Sequence, residues 1–213
     1  MILLPAHFSF YFDDFTSSIS IQAMRFHSSF FFAALASALV STTDGGSVAF
    51  TSYFEDDCCS GTPHFIYEED SDNCQATACT SLTIGDVVYY NKVDCYTDKR
   101  EDTAAIFAGK DAPYVLLEQY SPPTGCENFV DALAFYADGV CRPLPDISPY
   151  SSAIAAVNED LSLELQLYDD TACTEVASNV SIASTDVEWT CFVGYSDSYG
   201  LVYYTTDTDT TEC

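Results

Sequence analysis

The 213-residue chain carries 33 acidic and six basic residues, giving a formal net charge of −27, and 48% of its residues are hydrophobic. The apolar content excludes a disordered chain, and the charge makes nucleic acids and anionic membrane surfaces poor partners because both are negatively charged. Cationic partners, or neutral ones such as glycans, are favoured instead.

The N-terminal region reads as a signal peptide preceded by an unusual extension. Residues 24–41 place Arg25 before a short apolar stretch and small residues, with cleavage expected between Ala38 and Thr43. The apolar stretch is about half the ~20 residues of a membrane-spanning helix, which favours cleavage over a retained anchor. Residues 1–23 contain no Lys or Arg and indicate a gene model begun at the wrong methionine, the alternative being a genuine extension with an internal signal anchor.

Ten cysteines are the second unusual feature of the composition. In a secreted chain an even set predicts a disulfide framework, whereas in the cytosol the same residues would more often bind metal. Because of the signal peptide we expect a secreted, extracellular protein. The candidate disulfide cysteines are Cys58, Cys59, Cys74, Cys79, Cys95, Cys126, Cys141, Cys173, Cys191 and Cys213.

Three segments of the mature domain, residues 42–204, share one plan. A β-rich stretch ends in an aromatic residue, and a turn-rich linker then leads to a cysteine; the segments are SVAFTSYFEDDCC, PYVLLEQYSPPTGC and LSLELQLYDDTAC. In the last of these Leu161, Leu163, Leu165 and Leu167 alternate with polar residues, the period of a strand with one buried face. Each segment therefore predicts a strand, a turn closed by cysteine and a returning strand.

Spacing suggests a pairing without fixing it, since connectivity cannot be deduced from sequence alone. A loop of about 15 residues closed by a disulfide is stabilised by about 3 kcal/mol in the chain-entropy model. If each cysteine pairs with its neighbour along the chain, the bonds are Cys59–Cys74, Cys79–Cys95, Cys126–Cys141 and Cys173–Cys191. This neighbour pairing leaves Cys58 and Cys213 to bond with each other or with another chain.

The remaining stretches also favour strands. Turn residues at 85–86, 138–139 and 158–160 lie between runs rich in Val, Tyr, Ile and Leu. Only residues 102–109, DTAAIFAG, are consistent with a short helix.

The fold class that follows is all-β, a disulfide-stapled antiparallel sandwich-like architecture made of tandem β-hairpin repeats. The repeats form either one unit or two packed halves divided near Asp111, and an acidic tail follows at residues 205–213.

The mature chain lacks a recognisable catalytic set. Any Ser-His-Asp or Cys-His arrangement depends on its single histidine, His64, for which a packed or solvent-facing position beside a disulfide is the simpler interpretation. Zinc would need reduced cysteines, and neither a calcium loop nor a Gly-rich phosphate loop occurs in the sequence. We therefore expect no cofactor and no metal.

Carboxylates keep one catalytic alternative open. A glycan hydrolase needs two carboxyl groups roughly 5–10 Å apart across a cleft, and the sequence does not indicate which two would serve. The acidic clusters at residues 55–57, 68–70 and 169–170 predict solvated turns rather than catalytic groups.

Three other features have local interpretations. Trp189 stands two residues before Cys191 and is expected to pack in the core against a disulfide. In each of the adjacent tyrosine pairs 89–90 and 203–204, at least one side chain should be buried, because neighbours on a strand face opposite sides. Asn179 begins the only N-glycosylation sequon, used or unused, and is expected in an exposed loop.

The aromatic-acidic-Cys turn, the string CCSGTP at residues 58–63, the spacing of Cys74 to Cys79 and ADGVC at residues 137–141 carry a resemblance. Over roughly residues 50–195 the chain resembles oomycete secreted cysteine-rich proteins and is similar to ectodomains of oomycete tyrosine-kinase-like receptor kinases. The resemblance implies secretion and a β-rich extracellular module without established catalytic residues. No kinase motif occurs, so a receptor-like chain would be a free-standing ectodomain.

These features favour an extracellular binding or interaction module, effector-like or at the cell surface, rather than an enzyme. We expect its partner to be an extracellular protein or glycan, with no nucleic acid and no membrane insertion after signal cleavage. A secreted carboxylate-dependent hydrolase acting on glycans and a structural cell-wall protein are the alternatives, and the oligomeric state is open.

Overall fold

A computed structural model describes residues 48–84, 87–122, 125–146, 148–194 and 199–206. The described residues belong to one compact unit, and the predicted signal peptide, the extension and residues 207–213 of the predicted acidic tail, with Cys213, lie outside them. One helix, α1 (Lys99–Ala108), accompanies the strands β1 (Val48–Phe54), β2 (Phe65–Asp70), β3 (Thr80–Ile84), β4 (Val87–Tyr96), β5 (Tyr114–Tyr120), β6 (Phe129–Tyr136), β7 (Arg142–Pro143), β8 (Ser152–Val157), β9 (Leu163–Tyr168), β10 (Val176–Ile182), β11 (Phe192–Val193) and β12 (Gly200–Thr205).

The strands form two antiparallel sheets. The larger has the order β11-β12-β5-β6-β2-β1-β4-β3, and the smaller has the order β10-β9-β8-β7. Strands from both sides of Asp111 share the larger sheet, because β2 pairs with β6. The predicted all-β, disulfide-stapled sandwich is confirmed.

Alternation along the strands builds two apolar layers. Leu163, Leu165 and Leu167 of β9 are buried between the sheets, as their spacing predicts. On β5, Val115 also faces the smaller sheet, whereas Leu116 faces the layer beneath α1. The larger sheet thus has an inner face against the smaller sheet and a helix face covered by α1.

The predicted short helix is present and begins three residues earlier than expected, at Lys99. Asp98 caps it, because its carboxylate accepts hydrogen bonds from the second and third backbone N–H groups that follow, both at 2.9 Å. Asp102 reciprocates by accepting the backbone N–H of Asp98 at 2.9 Å. Only Thr103 and Phe107 of the helix are buried, so its apolar contact with the sheet is small. Within the described residues no helix is long and apolar enough to cross a membrane.

The three predicted strand-turn-strand segments form the antiparallel pairs β1-β2, β5-β6 and β9-β10. The cysteine in each turn, Cys59, Cys126 or Cys173, has a left-handed backbone with φ of 49°, 48° and 55°. Asp56 and Asp170, each three residues before such a cysteine, accept backbone N–H groups four and five residues further on at 2.9–3.1 Å. These turns are therefore held by carboxylates and are not merely solvated.

The described part of the chain contains four disulfide bonds, and the neighbour pairing is wrong in every case. The bonds are Cys59–Cys79, Cys74–Cys95, Cys126–Cys191 and Cys141–Cys173. The exposed Cys58 forms no disulfide with the cysteines that the structure describes, and because Cys213 is not among them, a Cys58–Cys213 bond stays a prediction.

Sheet register explains the difference. Cys59 follows the end of β1, and β2 then carries the chain back, so Cys74 lies at the opposite end of the sheet. Cys95 lies opposite Ala49, near the start of β1, whereas Thr80 aligns through β4 with the end of β1. A six-residue strand spans about 20 Å, and a disulfide requires Cα atoms within about 7 Å. In this part of the chain alternate cysteines therefore meet, Cys59 with Cys79 and Cys74 with Cys95.

Candidate functional site

Two clefts flank α1 on the helix face. The N-terminal cleft has a volume of about 280 Å³ and the C-terminal cleft about 320 Å³. Polar and charged residues lining the first include Asp70, Asp98, Lys99, Arg100, Glu118 and Tyr120. Those lining the second include Ser52, Ser60, Lys92, Asp94, Tyr96 and Lys110.

Basic residues are concentrated around these clefts. Four of the five described basic side chains line them, and Arg142 is the exception. Each is already bonded within the chain: Lys92 to Asp94 at 3.0 Å, Lys99 to Asp70 at 3.2 Å, and Lys110 to the Ser60 carbonyl at 2.7 Å, while Arg142 contacts Asp138 at 2.8 Å. The clefts therefore offer an incoming anion little unpaired positive charge.

The strongest pair in the N-terminal cleft joins α1 to β5. The Arg100 guanidinium donates two hydrogen bonds to the Glu118 carboxylate, at 2.9 and 2.7 Å, and Glu118 is 1% exposed. The Tyr120 hydroxyl also donates to Glu118. Burial, followed by its bond to Glu118, raises the pKa of Tyr120 to about 12. The guanidinium carbon lies 4.0 Å from the ring centroid of Tyr204, so this ring covers one face of the guanidinium.

A second carboxylate under the helix overturns one prediction. Glu68 belongs to the cluster at residues 68–70 that was expected to be a solvated turn, yet it is fully buried within β2. The Thr103 hydroxyl of α1 donates to its Oε1, and Oε2 has no hydrogen-bond partner in the described part of the chain. Burial raises its pKa to about 8. The burial of Glu68 could have been predicted from its spacing to Ile66 in FIYEED, because residues two apart project from the same face of a strand.

Glu68 and Glu118 lie in one row across the sheet, since each pairs with Ala132 of the strand between them. Two strand intervals place their backbones about 10 Å apart, and two carboxylates acting across a glycosidic bond must lie within roughly 5–10 Å of each other. Thr103 covers Glu68, and Arg100 occupies Glu118. This geometry anchors α1 to the sheet more readily than it performs acid–base catalysis.

Replacing Arg100 with Met is expected to lower the free energy of unfolding by about 2 kcal/mol, because it leaves the buried Glu118 carboxylate unpaired. Arg100 is half exposed, so water reaching Glu118 keeps the loss below that of a fully buried pair. Urea denaturation measures it. The control Lys92→Met breaks a more exposed pair with Asp94 and should cost less than about 1 kcal/mol. Equal losses would contradict the role assigned to Arg100.

His64 is 3% exposed, with Tyr89 and Tyr53 at ring-centroid distances of 4.9 and 6.4 Å. Neither ring nitrogen has a hydrogen-bond partner among the residues that the structure describes, and burial lowers the pKa of His64 to about 3. It borders a cavity of about 10 Å³, room for roughly one water molecule. His64 therefore forms no nucleophile–base–acid arrangement with the described residues.

Trp189 is not in the core. It is 85% exposed, although Cys191, two residues later, forms a disulfide bond with Cys126. Val187 supplies the buried side chain of this segment, and the left-handed backbone at Glu188, φ 70°, redirects the chain. No local pattern predicts this turn, because glutamate rarely adopts a left-handed backbone.

Asn179 also differs from its prediction. It lies in β10, at the edge of the smaller sheet, opposite Gln166. The side chain is exposed, so the sequon is on a strand surface rather than in a loop. Tyr89 is buried, and Tyr203 and Tyr204 are both buried, as expected of adjacent residues that face two covered sides.

By its fold and its site, the protein is a disulfide-stapled antiparallel β-sandwich whose larger sheet carries the helix α1, anchored by buried glutamates. No family model, curated protein or solved structure matches the chain. Among the described residues, no three His, Cys, Asp or Glu side chains are grouped so that they could hold a metal ion.

Proposed function

We propose that the protein is a secreted extracellular binding module whose partner presents positive charge. The observation that carries this proposal is that the described basic side chains are paired within the chain, whereas most acidic side chains have no basic partner. All five described basic side chains are bonded to acceptors of the same chain, at Asp94, Asp70, Glu118, Ser60 and Asp138. The excess of 33 acidic over six basic residues is left without internal counter-charge.

Such an excess produces a negative potential over the surface that accelerates encounter with cationic proteins and rejects anionic ones. Four disulfides, the N-terminal signal pattern and the likeness to oomycete secreted cysteine-rich proteins support an extracellular setting. The polar networks of the helix face favour binding over hydrolysis, because Glu118 is engaged and Glu68 is covered.

The test uses the mature, oxidised protein and two purified extracellular proteins of similar size, one basic and one acidic. We expect binding only to the basic protein, with affinity at least tenfold weaker at 300 mM than at 50 mM NaCl because salt screens the attraction. The basic protein with its lysines acetylated is the matched control and should not bind. Salt-independent binding to uncharged oligosaccharides on a glycan array, or no binding to the basic protein, would contradict the proposal.

A further inference from the structure

The edge of the larger sheet carries an exposed aromatic platform beside a pocket. Trp189 is the chain's single tryptophan, and its exposed fraction is the largest among the described large hydrophobic residues. It borders a pocket of about 170 Å³ together with Glu188, Ser184, Leu161 and Thr205. No lysine or arginine lines this pocket.

The turn that presents Trp189 is fixed by hydrogen bonds. The Glu188 backbone N–H donates to the Tyr203 carbonyl at 2.8 Å, which ties the turn to β12. The backbone N–H and hydroxyl of Thr190 donate to the carbonyl and carboxylate of Asp186, both at 3.1 Å. A left-handed, non-glycine backbone at Glu188 persists only because its surroundings enforce it. The backbone that presents the exposed ring is therefore held in a defined conformation.

Elsewhere the chain places its cations over its own aromatic rings. The Lys99 ammonium lies 3.7 Å from the centroid of Phe129, and the Arg100 guanidinium 4.0 Å from that of Tyr204. Four of the five described basic residues make such contacts. Tryptophan is the best ring for this interaction, yet none of the described cations lies over Trp189.

We propose that Trp189 and Glu188 anchor one Lys or Arg side chain of the partner, the cation lying over the indole and pairing with the carboxylate. This inference rests on the proposed function and names the site and the group bound. Glu188 forms no ion pair with the described residues. Tryptophan hot spots at interfaces commonly act in this way, because a central aromatic anchor supplies much of the affinity.

Charge decides between a cation and a neutral sugar ring, either of which can stack on tryptophan. Acidic residues surround the pocket in sequence, with Asp186 and Glu188 on one side and Glu159 and Asp160 preceding Leu161 on the other. A cationic side chain is stabilised by this field in addition to the stacking contact, whereas a neutral ring is not.

Because Trp189 is the only tryptophan, its fluorescence reports directly on occupancy. The mature protein is titrated with hexalysine, with acetylated hexalysine and with cellohexaose, and calorimetry gives the affinities of the variants. We expect a saturable change in emission with hexalysine alone. Trp189→Leu should weaken hexalysine binding by about fivefold or more, and Glu188→Gln by about threefold. The affinity of Trp189→Phe for hexalysine should lie between that of Trp189→Leu and that of the wild type.

The matched control is Glu164→Gln, which removes the same charge from an exposed position on β9 and should change the affinity by less than twofold. If Trp189→Leu and Glu164→Gln bind hexalysine equally well, the anchor is wrong while the proposed function stands. If no form of the protein binds hexalysine or a basic protein, the proposed function fails as well. A saturable response to cellohexaose without one to hexalysine would overturn the inference in favour of a sugar.

Discussion

Replacing Cys126 and Cys191 together with serine is expected to lower the free energy of unfolding by about 4 kcal/mol. This disulfide has the largest sequence separation of the four, 65 residues, and joins the turn after β5 to the segment before β11. In the chain-entropy model the cost of losing a bond rises with the length of the closed loop. Urea denaturation under non-reducing conditions measures the loss.

The matched control is the double substitution of Cys59 and Cys79, whose separation is 20 residues, with an expected loss of about 3 kcal/mol. Connectivity is tested separately by the single variant Cys126→Ser, which should release a thiol at Cys191. Alkylation followed by peptide mapping identifies that thiol. A free thiol at Cys141 instead would restore the neighbour pairing and refute the bonds described above.

Sequence reasoning found the strands because their signals are local. Alternating leucines in β9 and turn residues between β3 and β4 act within a few positions. The disulfide partners were missed because they depend on register between strands, which places Cys79 rather than Cys74 beside Cys59. A cysteine's distance along the chain says little about which end of a sheet it reaches.

The helix face was missed for a related reason. Glu68 looks like one member of an acidic run, and only pairing of β2 with β6 places it under α1. Proximity to Cys191 predicts a buried Trp189, whereas the left-handed turn at Glu188 leaves the side chain exposed. In both cases the tertiary environment overrides the local pattern, and Trp189 is also the residue on which the proposed cation anchor depends.

Replacing Glu68 with glutamine is expected to stabilise the protein at pH 8 and to have little effect at pH 5. Burial raises the pKa of Glu68 from 4.5 to about 8 in the folded state. Between these values the folded state holds a proton that the unfolded state has released, so stability falls as pH rises through this window. Between pH 5 and pH 8 the free energy of unfolding of the wild type should fall by on the order of 3 kcal/mol more than that of Glu68→Gln.

Chemical denaturation at pH 5, 6, 7 and 8 measures this difference, and comparison between variants is essential. The chain carries a net charge of −27, so deprotonation of many groups also changes stability with pH through general repulsion. Glu164→Gln removes an equal charge from an exposed site and should keep the wild-type slope, because that carboxyl is solvated in both states. Parallel pH profiles for wild type and Glu68→Gln would show that Glu68 is ionised in the folded protein. The carboxyl beneath Thr103 would then be a buried charge rather than a neutral hydrogen-bonding group, and the anchoring of α1 would need a different account.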